Sequence, residues 1–252
     1  MKIQYASDLH LEFSANRDFI KINPLVAVAD TLILAGDIGT FRLKSAFKDF
    51  LKYLEDNFNT VYWVPGNHEW YDYNLNTYPF SFMEKISSNC YLTNNTSIIH
   101  GDVKLIFSTL WSKISEANRF RIVNGLNDFR LIKNNGKQLN VDTYNKMHDD
   151  SVAFIKSELK NNTCNKTVVV THHVPTFMNY PEKYKGDYIN EAFAVELYDF
   201  IFNNLIDYWI FGHTHHNNLR FEIGKCKLLT NQLGYVIHNE HKLFNHESFI
   251  KI

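Results

Sequence analysis

Short hydrophobic stretches in the N-terminal part of the chain each stop at a polar group. Lys2–Ser7, Thr31–Ala35 and Thr60–Val64 predict buried strands. Within residues 42–58, apolar side chains recur every three or four positions, which predicts a helix. Strands that alternate with a helix are typical of a βαβ unit. We therefore expect a largely parallel sheet, with its functional residues in loops beyond the carboxyl ends of the strands.

The remainder of the chain continues this α/β pattern. Ser97–His100 and Val103–Thr109 flank Gly101-Asp102, which predicts an antiparallel hairpin. Further helices are expected at 141–160 and 191–205, and further strands at 166–171, 208–211, 218–222, 226–230 and 247–251. The sequence contains no linker, repeat or charge block that would divide it. We expect a single domain over residues 1–252.

Five of the predicted strands end in a block of polar residues. The blocks are Asp8-Leu9-His10, Gly36-Asp37, Gly66-Asn67-His68-Glu69, Thr171-His172-His173 and Gly212-His213-Thr214-His215. In extended backbone, two residues separated by two positions face the same side, so Asp8 and His10, or His213 and His215, could bind one metal centre. Carboxylate, amide and imidazole donors without thiolates suit Mn, Fe, Zn, Co or Ni at a catalytic site.

In this order, the blocks resemble the motifs DxH, GD, GNHE, a later His block and GHxH of the calcineurin-like metallophosphoesterase superfamily. The segments SDLHLEF, LAGDI, VPGNHEWY and THHVP are similar to those of its compact bacterial and phage members. Five short blocks in the right order are far more specific than any one of them. The resemblance spans residues 8–215 and implies a four-layer α/β/β/α sandwich with two central mixed β-sheets.

The resemblance also implies a dinuclear metal centre. It assigns one ion to Asp8, His10, Asp37 and His215, and a second ion to Asp37, Asn67, His172 and His213. Two divalent ions are expected, manganese first, with iron, zinc, cobalt or nickel as alternatives. The fourth block leaves a choice, because adjacent strand residues face opposite ways and only His172 or His173 can enter the site. The position of the following proline in family members favours His172.

The implied activity is hydrolysis of phosphomonoesters or phosphodiesters. In such a two-metal site a hydroxide that bridges the ions attacks phosphorus, and His68 would protonate the departing oxygen as the general acid. Glu69, next to it, is expected to brace the loop. The expected substrate is a small phosphate ester or nucleotide. Two alternatives stay open: a nuclease or cyclic-nucleotide phosphodiesterase of the same superfamily, and a non-catalytic metal-binding scaffold.

Charge and cysteine content narrow the expected partners and compartment. With 26 basic and 27 acidic residues, the formal net charge of −1 provides no basic field, so we expect neither a stable nucleic-acid complex nor membrane binding. The 3 cysteines form no CxxC pair, which argues against a disulfide framework or a thiolate zinc site. Residues 1–6 lack a secretory pattern, and no stretch approaches the ~20 apolar residues of a membrane span. A cytoplasmic protein is expected.

Two aromatic-rich segments, 70–82 and 177–188, follow the third and fourth blocks. Their rings could line a substrate pocket and stack on a base or an aryl group, or they could pack against the sandwich, and the sequence leaves both open. Arg130 is a candidate phosphate clamp, since a guanidinium group pairs with phosphate through two parallel hydrogen bonds.

Overall fold

The computed structural model describes residues 1–218 and 220–252, and within these it contains fourteen strands and six α-helices. The strands are β1 (Lys2–Ala6), β2 (Thr31–Ala35), β3 (Thr60–Val64), β4 (Phe82–Lys85), β5 (Cys90–Asn94), β6 (Thr96–His100), β7 (Val103–Ser108), β8 (Lys133–Asn134), β9 (Lys137–Gln138), β10 (Lys166–Thr171), β11 (Tyr208–Ile210), β12 (Phe221–Ile223), β13 (Cys226–Leu229) and β14 (Phe249–Lys251). The α-helices are α1 (Ser14–Ile22), α2 (Lys48–Asn57), α3 (Arg119–Gly125), α4 (Asp128–Leu131), α5 (Val141–Lys160) and α6 (Tyr198–Phe202). Short 3-10 helices lie at Phe41–Phe47, His68–Trp70, Leu75–Thr77, Glu182–Tyr184, Tyr188–Ala192, Val236–His238 and Glu240–Leu243.

Two six-stranded mixed sheets form the centre of the molecule. The first has the order β14-β1-β2-β3-β5-β4, and its four inner strands are parallel. The second has the order β12-β13-β11-β10-β7-β6, again with four parallel inner strands. The edge strands β14, β4, β12 and β6 pair antiparallel with their neighbours, and β6 and β7 form the hairpin predicted around Gly101.

Side chains that alternate along the strands divide the core into three apolar clusters. Ile33 of β2 lies in the cluster between the two sheets, whereas the next residue, Leu34, joins Leu54 of α2 on the outer face of the first sheet. On the outer face of the second sheet, Ile106 of β7 shares a cluster with Ile155 of α5. Helices therefore cover both outer faces, and the expected four-layer α/β/β/α sandwich is confirmed.

The long helix α5 has the bounds that its periodicity predicts. The side chain of Asn140 caps its first turn by accepting the Thr143 N–H at 2.8 Å. Tyr144 and Ile155 lie on its buried face, and Lys146, Asp149 and Lys156 lie on its exposed face. Across the described part of the chain, every helix falls short of the length and apolarity needed to cross a membrane.

The predicted helix over 191–205 is wrong, because only Tyr198–Phe202 is α-helical. Ala194 instead forms a parallel bridge with Val174, and the Val195 N–H donates to the Val174 carbonyl at 3.0 Å. The Glu196 carboxylate then accepts the Thr176 hydroxyl at 2.7 Å. Pairing with the segment after β10 overrides the local helical spacing.

Other boundaries differ from the predictions for local reasons. The helix predicted over 42–58 is α-helical only from Lys48, since Phe41–Phe47 is a 3-10 helix. The strand predicted over 218–222 lies at Phe221–Ile223, and residue 219 lies outside the described residues. Three helices, α1, α3 and α4, and four strands, β4, β5, β8 and β9, have no counterpart among the predicted elements. In α1 only Asn16 and Ile20 are buried, too few to give a clear periodicity.

The packing of α2 predicts a large cost for a cavity at Leu54. This side chain is 0% exposed, so Leu54→Ala should lower the free energy of unfolding by about 2–5 kcal/mol, as measured by urea denaturation. Leu205 is 83% exposed and serves as the control, because Leu205→Ala should change the free energy by less than about 0.5 kcal/mol. Equal losses in the two variants would contradict this placement of α2.

Candidate metal centre

The five polar blocks lie together where β1, β2 and β3 of the first sheet meet β10 and β11 of the second. Hydrogen bonds join the two sheets here. The Asp8 carboxylate accepts the His213 N–H at 3.0 Å, and the Ala35 carbonyl accepts His172 Nδ1 at 3.0 Å. The site therefore lies on the seam between the two sheets, at the carboxyl ends of their strands.

Five of the seven residues predicted as ligands have left-handed backbone, with φ between 48° and 79°: Asp8, His10, Asp37, His213 and His215. The expectation that each i,i+2 pair leaves an extended strand on one face is therefore wrong. The chain turns at Asp8 and His10 while Leu9 between them is buried in the core, so both polar side chains still reach the site. Such backbone costs about 1–2 kcal/mol per residue outside glycine.

One cluster contains Asp8, His10, Asp37 and His215, whose ligand atoms lie within 4.8 Å of one another. His10 Nε2 and His215 Nε2 are 2.8 Å apart. His215 Nε2 lies 3.5 Å from an Asp8 carboxylate oxygen, and His10 Nε2 lies 3.8 Å from Asp37 Oδ2. Carboxylate oxygens and imidazole nitrogens converging in this way can hold a metal ion.

A second cluster shares Asp37 with the first and adds His172 and His213. His172 Nε2 lies 3.3 Å from Asp37 Oδ2, 3.0 Å from His213 Nδ1 and 3.2 Å from Asn67 Oδ1. The structure thus brings all seven predicted residues together, with Asp37 between the two groups. The neighbouring His173 faces away, towards the Thr109 carbonyl at 3.3 Å and the Tyr144 hydroxyl at 3.2 Å.

The outer nitrogen of three of these histidines faces a hydrogen-bond acceptor. His215 Nδ1 lies 2.8 Å from Glu240 Oε2, His10 Nδ1 lies 3.1 Å from Glu12 Oε1, and His172 Nδ1 faces the Ala35 carbonyl. A neutral imidazole then carries its proton on the outer nitrogen and keeps a lone pair on the inner one. The three rings are therefore oriented as ligands are.

The sequence analysis did not identify the acidic residues that bind the predicted ligands, which are Glu12, Asp128 and Glu240. Asp128 accepts the Asn67 amide at 2.8 Å, which leaves Asn67 Oδ1 directed at the second cluster. Asp128 lies two positions before Arg130, and the sequence draws attention to this segment only through that arginine. Glu12 is part of SDLHLEF, so its place beside the site had a local signal. Glu240 had none, because it reaches His215 only through tertiary packing.

Glu69 braces two loops, as expected. Its carboxylate accepts the backbone N–H groups of Ile38 at 2.8 Å and Gly66 at 2.6 Å, and the Trp63 indole N–H at 2.9 Å. Gly66 itself must lack a side chain, since a Cβ there would stand 2.2 Å from Asp37 Oδ1. Both features hold the second and third blocks in close contact.

The charged groups around His68 stabilise one another. The Asp37 carboxylate accepts the His68 backbone N–H at 2.9 Å, and His68 Nδ1 lies 2.8 Å from Glu12 Oε1. Although burial opposes it, the hydrogen bonds of Glu12 with His10 and His68 lower its pKa to about 2. Burial is likewise outweighed at His68, where the charges of Asp37 and Glu12 raise the pKa to about 9.

A cavity of about 540 Å³ opens over the two clusters, and its wall includes Tyr71, Tyr180 and Tyr184 from the aromatic segments. Tyr71 stacks against the ring of His68 with centroids 4.2 Å apart. Other rings from these segments pack into the core instead, as Trp70 and Phe82 do. Some rings of these segments therefore line the cavity, and others pack against the sandwich.

The expectation that Arg130 clamps a phosphate is wrong. Its guanidinium group is exposed, lies outside the cavity wall and donates to the Asn124 carbonyl. Among the described residues that line the cavity, none is a lysine or arginine. The described lining residues therefore offer a bound anionic group no lysine or arginine partner.

Known proteins resemble this chain in sequence and in fold. An uncharacterized protein, L509, of Acanthamoeba polyphaga mimivirus is 35% identical, over 99% of this chain and 96% of that protein. The phosphopantetheinyl hydrolase PptH of Mycobacterium tuberculosis has a similar fold, with a TM-score of 0.69 at 14% identity over 99% of this chain and 95% of that one. A dimetal phosphatase of Danio rerio matches with a TM-score of 0.51 at 13% identity, over 92% and 87% of the two chains.

The sequence model of the calcineurin-like phosphoesterase family matches residues 1–217, and this range contains all five polar blocks. Both clusters, which share Asp37, are formed by residues within the range that the family model matches. The chain belongs to the calcineurin-like phosphoesterase family.

Proposed function

We propose that this protein hydrolyses phosphoesters with two divalent metal ions and with His68 as the general acid. The observation that carries the proposal is the position of Asp37, which belongs to both ligand clusters and accepts the backbone N–H of His68. The proposed acid therefore lies directly beside the point that both ions would share. This arrangement favours catalysis over a scaffold role.

The donor atoms fit such ions. The inner nitrogens of His10 and His215 face each other at 2.8 Å, and those of His172 and His213 do so at 3.0 Å. Because the outer nitrogens of His10 and His215 are both engaged with acceptors, the lone pairs of their inner nitrogens would confront each other unless a cation lies between them. Oxygen and nitrogen donors without sulfur suit manganese, iron, zinc, cobalt or nickel, and we propose manganese first.

In the proposed assignment, one ion binds Asp8, His10, Asp37 and His215, and the other binds Asp37, Asn67, His172 and His213. Two such ions would supply the positive charge that attracts a phosphate and would acidify the attacking water. Glu240 and Asp128 orient the ligands His215 and Asn67 through hydrogen bonds. The lack of lysine or arginine among the described lining residues makes the phosphate depend on this centre.

His68 is suited to donate a proton to the departing oxygen. Its Nδ1 is bound to Glu12, so Nε2 remains for the cavity that the ring lines. Stacking on Tyr71 restrains the plane of the ring. A small phosphate ester or nucleotide in the cavity would present its leaving oxygen to this nitrogen.

Removal of the shared carboxylate tests the metal centre. Asp37→Asn should lower manganese binding, because one formal charge is lost between two cations, and hydrolysis of p-nitrophenyl phosphate and bis(p-nitrophenyl) phosphate should fall to the level of the metal-free protein. Metal content by mass spectrometry and colorimetric rates measure both effects. Asp199→Asn, at an exposed position of α6, is the matched control and should retain both properties. Stoichiometric metal binding by the unmutated protein without turnover of either ester would favour the scaffold alternative.

The role of His68 is tested by the leaving group. His68→Ala should retain two metal ions yet slow esters with poor leaving groups by about 10²–10⁴-fold, because a poor leaving group needs the proton most. Steady-state rates on phenyl and p-nitrophenyl esters of the preferred type give this comparison. The same slowing for both esters would contradict the acid role.

A further inference from the structure

We propose that Glu12 is a positioning residue, which holds the His68 ring in the orientation that presents Nε2 to the leaving group. This inference rests on the proposed function, since it assigns a partner to the general acid. Neither a metal ion nor the substrate is contacted by Glu12 in this proposal. Its effect passes through the ring of His68.

The contacts of Glu12 connect the first polar block to the third. Its Oε1 lies 2.8 Å from His68 Nδ1 and 3.1 Å from His10 Nδ1. The side chain is 8% exposed at the wall of the cavity, and Oε2 has no hydrogen-bond partner among the described residues. One oxygen therefore serves two rings: a proposed metal ligand and the proposed acid.

The main chain at Glu12 is fixed from the other side. Arg17, in the first turn of α1, donates from Nη1 to the carbonyl of Leu11 at 2.7 Å and to that of Glu12 at 2.9 Å. The carboxylate thus extends from a segment that is anchored to a helix. A hydrogen-bond partner that is itself held in place loses little freedom when it orients another group.

Packing alone leaves the orientation of His68 unresolved. Tyr71 stacks on the ring at 4.2 Å and the His10 ring meets it edge-on at 4.5 Å, so both restrain the ring plane. Neither contact distinguishes the two orientations related by a half-turn about the Cβ–Cγ bond. The hydrogen bond to Glu12 does, because it places Nδ1 against the wall and leaves Nε2 for the cavity.

Because Glu12 also contacts His10, its two possible effects must be separated. An effect through His10 would weaken metal binding and slow every ester alike. An effect through His68 would slow esters with poor leaving groups and spare those with good ones. The ratio of the rates on the two esters therefore identifies the route.

The experiment compares Glu12→Ala and Glu12→Gln with the unmutated, manganese-loaded protein on p-nitrophenyl and phenyl esters of the preferred type. At saturating manganese, which offsets the weaker metal binding expected from loss of the His10 contact, Glu12→Ala should slow the phenyl ester about 10–100-fold and the p-nitrophenyl ester less than about 3-fold. Glu12→Gln keeps an acceptor oxygen and should recover part of the loss. In the His68→Ala background, Glu12→Ala should leave the ratio of the two rates unchanged.

Glu240→Ala is the matched control, since Glu240 accepts from His215 at 2.8 Å in the way that Glu12 accepts from His10 at 3.1 Å. It should weaken manganese binding and slow both esters equally. Equal slowing of both esters by Glu12→Ala, with weakened manganese binding, would overturn the proposal in favour of a route through His10. A further change of the rate ratio in the His68→Ala background would also overturn it.

A readout that needs neither metal nor turnover separates this inference from the proposed function. Long-range ¹H–¹⁵N spectra of the metal-free protein should show His68 with a hydrogen-bonded proton on Nδ1, assigned by its loss in His68→Ala. That signal should disappear in Glu12→Ala. If the unmutated protein turns over no ester, the proposed function fails, whereas an unchanged His68 signal in Glu12→Ala overturns the positioning role alone.

Discussion

The hydrogen bonds that join the two sheets at their carboxyl ends hold every part of the site in register. The His213 N–H binds the Asp8 carboxylate, and His172 binds the Ala35 carbonyl, so each bond connects strands from different sheets. A shift of one sheet against the other would separate the Asp37 carboxylate from His172 and divide the second cluster. The apolar layer between the sheets, which includes Ile33 and Val170, opposes such a shift.

The site is held at a cost in backbone conformation. Left-handed residues such as Asp8 and His215 carry polar side chains inward at sharp turns, where an extended strand would continue past the site. Hydrogen bonds to Glu69 offset part of this cost, because its carboxylate satisfies N–H groups from two loops that turn away from regular pairing. The left-handed residues and the hydrogen bonds that offset their cost thus lie within a few residues of each other.

Acidic residues outside the seven proposed ligands orient different side chains of the site. Glu240 faces His215 and Asp128 faces Asn67, each through one hydrogen bond to a ligand. Glu12 differs because it faces both a ligand and His68. In the proposed function, the same carboxylate chemistry would tune metal binding at one position and proton donation at another, according to which ring it contacts.

The sequence by itself determined the strands that end in polar blocks, the helix at 141–160 and the seven residues that meet at the seam, since periodicity and short motifs depend on neighbouring residues. Tertiary structure decided the rest. The non-helical path at Ala194 comes from its pairing with Val174, and the partnership of Glu240 with His215 joins residues 25 positions apart. Even the geometry of Asp8 and His10 depended on turns that side-chain alternation does not reveal. Such features arise from long-range packing, whose free energy exceeds the weak local preferences that a sequence pattern records.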